Sequence, residues 1–232
     1  MAFANIGKKT KSDKTPYKIF YPLNCNTLPP IKDIPAEGIQ VVSIDIAIKN
    51  FAIRIERRYP NNVVMPIYFK REDFKKYGEN TNETNGTNSI DPNILTVSLK
   101  FMLDIMEHIK ESRVIGIERQ LGMNYKSSRM FQHIITILLC YAPTFKYPDA
   151  IIFDINPKLK TRILNCPKGM NENYIKKWSI EEAIKILEKR NDKWSLEYLK
   201  AEHGATECKA DDLADTITQM EAWFIYNNGL TT

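Results

Sequence analysis

Apolar and polar positions along the chain change rhythm several times, and each rhythm predicts an element. From Ile39 to Ile48 valine and isoleucine dominate, the pattern of a buried strand. Phe51 to Arg57 alternates Phe, Ile and Ile with Ala, Arg and Glu, and Val63 to Phe69 reads as a third strand. Their short connections predict an antiparallel meander. Asp91-Pro92 then opens a helix, with proline in its first turn and Leu95, Leu99, Met102 and Met106 on its apolar side. Val114–Glu118 predicts a short strand and Met123–Tyr141 a helix, whose Met130, Ile134, Ile137, Leu138 and Tyr141 make a broad apolar face. A strand over Ile151–Ile155, a helix over Ser179–Arg190 and a last helix from about Lys209 to Tyr226 complete the series. The sum is a mixed α/β domain, a three-strand meander continued by parallel strands and flanked by helices.

Two segments fall outside that pattern. Residues 1–38 carry Lys8, Lys9, Lys11, Lys14, Lys18 and Lys32 against Asp13, Asp33 and Glu37, with prolines throughout, and are expected to form an irregular basic arm. Within it, Ile19-Phe20-Tyr21 is apolar enough to touch the body. Glu72 to Asn93 is rich in Asn and Thr and predicts a flexible loop; its sequons at Asn82 and Asn85 have no meaning inside a cell. The domain therefore spans 39–228. At 232 residues, 43% hydrophobic and 26% charged, the chain suits one sizeable core. A net charge of +5 favours an anionic partner only mildly. No apolar run approaches the roughly 20 residues that cross a bilayer, so no membrane association is expected. Nor is there an apolar leader. Cys25, Cys140, Cys166 and Cys208 show no zinc spacing, and Cys140, in an apolar stripe, reads as a buried thiol. An intracellular protein with reduced cysteines follows.

The carboxylates carry the chemical signal. Asp45 lies between Ile44 and Ile46 in the most apolar strand, where an unpaired charge is costly. Glu118 closes the apolar strand Val114–Ile117. Asp212 and Asp215, three apart, share a face of the last helix, an unfavourable pairing unless a cation sits between them. Asp211 points about a third of a turn away and suits a helix-capping role, although the choice between Asp211 and Asp212 as a ligand stays open. One acid in a first strand, one ending a later strand and a pair on the last helix could hold two divalent ions. Such a pair would ready a water and stabilise a leaving phosphodiester oxygen. Hard oxygen donors suit Mg²⁺ or Mn²⁺.

The element order is that of the ribonuclease H-like fold. With Ser43-Ile-Asp-Ile-Ala-Ile-Lys-Asn50, Ile117-Glu-Arg-Gln120, Asn156-Pro-Lys158 and Lys209-Ala-Asp-Asp-Leu-Ala-Asp-Thr216, residues from about Ile39 to Tyr226 resemble the Holliday junction resolvases of poxviruses and related large DNA viruses. Those enzymes are relatives of bacterial RuvC and of the fungal mitochondrial resolvase. The resemblance implies a homodimer that nicks four-way DNA junctions symmetrically with Mg²⁺, leaving 5′-phosphate ends. It also implies Asp45, Glu118, Asp212 and Asp215 as metal-binding catalytic acids, and Lys158 or Lys160 as the lysine near the scissile phosphate. Ala47 stands where the family pattern has glycine, which bears on how closely DNA approaches the backbone and leaves the acids untouched. If viral, the chain would act where viral DNA replicates; a mitochondrial site is disfavoured.

Charge adds candidate DNA contacts. Between Pro157 and Lys177, Lys158, Lys160, Arg162, Lys168, Lys176 and Lys177 oppose Glu172 alone. Arg119, Lys126 and Arg129 form a second patch, and Lys49 and Asn50 of the first motif are expected to face DNA as well. Tyr125 is placed to stack on a base or to pack. The apolar face of the Met123–Tyr141 helix packs in the core by default, and the resemblance raises it as a dimer interface. Competing readings are a nuclease for RNA–DNA hybrids, a sugar-kinase-like phosphotransferase, and a non-catalytic junction binder. Nine unclustered glycines speak against the phosphotransferase.

Overall fold

Alternation of buried residues on two faces is what turns these segments into one layered sheet. The computed structural model describes residues 17–22, 34–78, 90–120, 124–204 and 210–228; most of the arm, the sequons, Cys25 and Cys208 lie outside them. Six strands are ordered β1-β6-β5-β2-β3-β4. β2 (Ile39–Asp45), β3 (Phe51–Arg58) and β4 (Val64–Glu72) form the antiparallel meander, while β5 (Ser112–Glu118) and β6 (Ile151–Ile155) run parallel to β2. Between them lie α1 (Pro92–Asp104), α2 (Met106–Lys110), α3 (Tyr125–Tyr141) and α4 (Lys158–Ile163). α5 (Glu172–Lys189), α6 (Lys193–Gly204) and α7 (Ala210–Asn228) follow.

Each face of the sheet has its own helices. Val42, Ile44, Ile53, Ile115 and Ile117 pack with α1, α2 and α3. Ile39, Val41, Val114 and Phe153 meet α7 through Met220 and Trp223. Ala52 and Phe69 extend that second face under α5, α6 and α7. Burial of such apolar surface stabilises by about 25 cal/mol per Å². Among the described residues, no helix is long and apolar enough to cross a membrane.

Several elements depart from their sequence signals. Within the supposedly irregular arm, residues 17–21 form β1, an antiparallel edge strand on β6 with Lys18 opposite Asp154. Its partner lies more than 130 residues away, so no local pattern announces the pairing. β2 stops at Asp45. α1 buries Ile94, Ser98 and Met102 and leaves Leu99 exposed, a face rotated by about one residue. α5 starts earlier than expected, at Glu172, with the Asn171 side chain accepting from the Tyr174 N–H at 2.9 Å. α4 and α6 had no clear apolar period. On α3, Met130, Ile134, Ile137 and Leu138 are buried and Tyr141 is packed against the same core. That face is therefore unavailable for a dimer interface. Cys140 is exposed, not buried.

The α5–α6 corner is pinned to β3 by buried charge. Arg54, on the face where β3 would otherwise carry apolar residues, meets Glu56 at 2.6 Å, Asp192 at 2.7 Å and Ser195 at 2.7 Å. Arg58 and Arg190 join the same Glu56 at 2.7 and 3.4 Å, and both reach Glu221 of α7. Burial alone would raise the Glu56 carboxyl, but Arg58, Arg190 and Arg54 hold it far below its ordinary value of 4.5. Glu221 is lowered too, Arg190 and Arg58 outweighing its burial. Because both folded values are depressed, their stabilisation is whole above about pH 4.5 and is lost as pH falls towards those values. Glu56→Gln leaves three guanidinium groups short of a carboxylate and is expected to cost about 3–5 kcal/mol in urea unfolding. The variant should also lose part of the wild-type fall in stability below pH 4.5; an unchanged acid limb would contradict this assignment.

Candidate active site

β2 and β5 are parallel neighbours, with Ile44 beside Ile117, so their last residues, Asp45 and Glu118, end side by side. Both share the face that carries Val41 and Val114, hence the face covered by α7. Asp215 of α7 completes a triad in which one carboxylate oxygen from each residue lies within 4.8 Å of the others. Gly116 leaves room for the side chains of β6 and α7 that pack over β5. A Cβ there would stand 2.7 Å from Ile155 Cδ1 and 3.2 Å from Met220 Cε.

Like charges this close must be compensated. Burial pushes the Asp45 carboxyl well above its usual range, and the charges of Glu118, Asp212 and Asp215 add to the rise. The sole lysine buried among the described residues, Lys160 of α4, enters the group: its Nζ pairs with Asp215 Oδ2 and stands 3.6 Å from Glu118 Oε1. Burial works against its charge, yet Asp215, Glu118 and Asp45 keep it protonated. Lys158, two residues earlier, is exposed. The structure thus separates the two lysines that the sequence left as alternatives.

Asp215 is held from its other side as well. Ser179 Oγ of α5, wholly buried, donates to Asp215 Oδ1 at 2.5 Å and lies 3.2 Å from Thr218 Oγ1. Sequence reasoning passed over Ser179; its only signal is a small polar residue between Trp178 and Ile180 in the apolar stripe of α5. Asp211 turns away and lies 3.5 Å from Lys176, whereas the charge of Asp212 falls on Asp45.

The expected DNA contacts divide into distinct environments. Lys158, Arg162 and Lys168 are exposed around a cleft next to α4. Lys49, Lys126, Arg129 and Tyr125 are exposed too. Two of the expected contacts have partners within the chain. Asn50 is buried, and its Oδ1 accepts from Arg71 at 3.2 Å. Arg119 forms a fork on Asp154, Nε to Oδ2 at 2.8 Å and Nη2 to Oδ1 at 2.6 Å, while the Lys18 backbone N–H donates to the same Oδ1 at 2.5 Å. Arg119 therefore ties the strand end carrying Glu118 to β6 and β1. Buried carboxylates met an internal partner here that the local sequence did not disclose.

Hard oxygen donors, packed closely with one lysine among several acids, fit a divalent cation such as Mg²⁺ or Mn²⁺. Asp45→Asn removes repulsion from a buried group and is expected to raise the Tm of metal-free protein, by roughly 2–4 °C for each kcal/mol gained. The same variant should lose most of the Tm increase that Mg²⁺ gives the wild type. Ser179→Ala, which frees one oxygen of Asp215, is expected to weaken Mg²⁺ binding about 10–100-fold by calorimetry. Wild-type affinity in that variant would remove Ser179 from the site.

No family model and no curated protein matches the sequence. Solved structures do match. The chain is similar to the yeast mitochondrial Holliday junction resolvase Ydc2, at 17% identity and a TM-score of 0.54, over 84% of this chain and 81% of that one. It is similar to the fowlpox virus resolvase in complex with Holliday junction DNA at 20% identity and a TM-score of 0.51, over 81% and 98%. Against Thermus thermophilus RuvC with a Holliday junction substrate the values are 10% and 0.50, over 82% and 97%. At these identities the likeness concerns the fold. The mixed six-strand sheet of this chain, flanked by helices, has the ribonuclease H-like fold.

Proposed function

We propose that the chain is a divalent-metal-dependent endonuclease that resolves four-way DNA junctions by paired symmetrical nicks, working as a homodimer inside the cell where the DNA replicates. One observation carries the reading: Asp45, Glu118 and Asp215 converge from two strand ends and a helix on a site that also takes in Lys160. A purely structural core gains nothing from collecting acids there. That the fold is shared with structures of Holliday junction resolvases supports the choice of substrate.

In this reading Asp45, Glu118 and Asp215, with Asp212 beside them, would hold two Mg²⁺ ions, or Mn²⁺ in their place. When bound, the ions supply the positive charge that readies a water for in-line attack and eases departure of the 3′-oxygen. Ser179 and Lys160 hold the two oxygens of Asp215 in place. With its charge secured against loss at neutral pH, Lys160 also serves as the cation nearest the scissile phosphate. Exposed Lys49, Lys126, Arg129, Lys158, Arg162 and Lys168 attract the backbone, a sequence-independent contribution that weakens with salt. Two cuts related by a two-fold axis call for two copies. Since the apolar face of α3 is occupied by its own core, the copies meet through another surface.

Purified protein with Mg²⁺ should nick a four-way junction in symmetrical pairs and leave a linear duplex and an RNA–DNA hybrid of matched sequence intact. Asp45→Asn should bind the junction and no longer cut it. Cleavage of the hybrid alone would move the activity to a ribonuclease H. Junction binding with no cutting by the wild type, in Mg²⁺ or Mn²⁺, would leave a non-catalytic binder.

A further inference from the structure

The short helix α4 faces two ways. Lys160 turns inward to the acids, while Lys158 and Arg162 line a cleft of about 600 Å³ enclosed by α4, the loop that follows it and the start of α5. The acid site and the cleft therefore share one six-residue helix, each on its own side of it.

The lining is of two kinds. Lys158, Arg162 and Lys168 are cationic, and among the described residues none of them forms an ion pair, in contrast to Lys160 and Lys176. The same lining includes the apolar Pro167, Met170 and Ile175, with Met170 exposed. A groove that only followed phosphates would have no use for an apolar wall. The loop is shaped to be concave: Asn165 at φ 57° and Gly169 at φ 76° bend it at both ends. At Gly169 a Cβ would meet nothing within 4 Å, so glycine serves the turn there and not close packing. The volume falls within the range of ~300–1,000 Å³ that encloses small ligands, and a molecule anionic at one end and flat and apolar at the other matches both walls.

We propose that this cleft takes a single nucleotide swung out of the DNA strand beside the cut. Its base lies on Pro167, Met170 and Ile175, and its flanking phosphates lie on Lys158, Arg162 and Lys168. The proposal rests on the nuclease reading above and adds a base-binding subsite to it. Unstacking a base is cheapest where pairing is already interrupted, as at the centre of a branched junction, so the cleft would favour a junction over a continuous duplex.

The test places 2-aminopurine, in turn, at each position within about three nucleotides of the mapped nick and binds the junction with Asp45→Asn protein, which keeps it uncut. Fluorescence should rise several-fold at one position. In the Met170→Ser/Ile175→Ser double variant that rise should vanish, with junction affinity about tenfold weaker and duplex affinity unchanged. Thermal melting controls for folding, since these side chains lie at the cleft and outside the core clusters. Should wild type bind and cut the junction while no position brightens, or should the double variant bind the junction like the wild type, the cleft is a backbone track and the proposal falls. Wild type that neither binds nor cuts a junction would overturn the nuclease reading itself, a distinction visible by gel shift before any fluorescence is read.

Discussion

Mutual repulsion among closely set carboxylates, one of them buried, is the constraint around which this molecule is organised. Asp45 and Glu118 are brought together because two parallel strands end at the same level, and α7 lowers Asp215 onto them. Desolvation makes the Asp45 charge costlier, and the charges of Glu118, Asp212 and Asp215 compound it. Lys160 reduces the excess without cancelling it, and Ser179 fixes the geometry with a neutral hydrogen bond that adds no charge. The remaining negative potential is what a divalent cation can use.

Such a site needs a rigid surround, and the surround is also ionic. On the α7 face, apolar packing around Trp223 and Phe153 anchors the middle of the helix. Towards the sheet edge, Arg54, Glu56, Arg58, Asp192, Arg190 and Glu221 join β3 to α5, α6 and α7. Buried ion networks of this kind are weak as net stabilisers but intolerant of losing a member. Here the network holds the very helices that supply Ser179 and Asp215. On the opposite face, the Arg119–Asp154 fork joins the end of β5 to β6 and to the added edge strand β1. A segment that looked like a solvated arm thus helps fix the backbone next to Glu118.

Charge that reads as one basic run along the sequence becomes three environments in space. Lys160 serves the acids, Lys176 neutralises Asp211 and Glu172, and Lys158, Arg162 and Lys168 remain directed at a cleft with an apolar wall. Local net charge cannot make that division, because it depends on which face of α4 or α5 meets the sheet.

The sequence by itself determined the layered α/β order and the acids. Strands β2, β3, β4, β5 and β6 announce themselves through dense β-branched and alternating residues, and Asp45 and Glu118 stand out because an acid in or at the end of an apolar strand has no structural excuse. Asp91 before Pro92 likewise marks where α1 begins, by local capping chemistry. Tertiary structure alone decided what those acids meet. β1 forms only because β6 offers an edge far along the chain, and Ser179 matters only because α5 lies against α7. Likewise, Lys160 rather than Lys158 enters the site because its side of α4, with Leu159, is the buried one. Spacing reports which residues share a local face; which faces come together is set by packing between elements distant in the chain, and no local pattern carries that information.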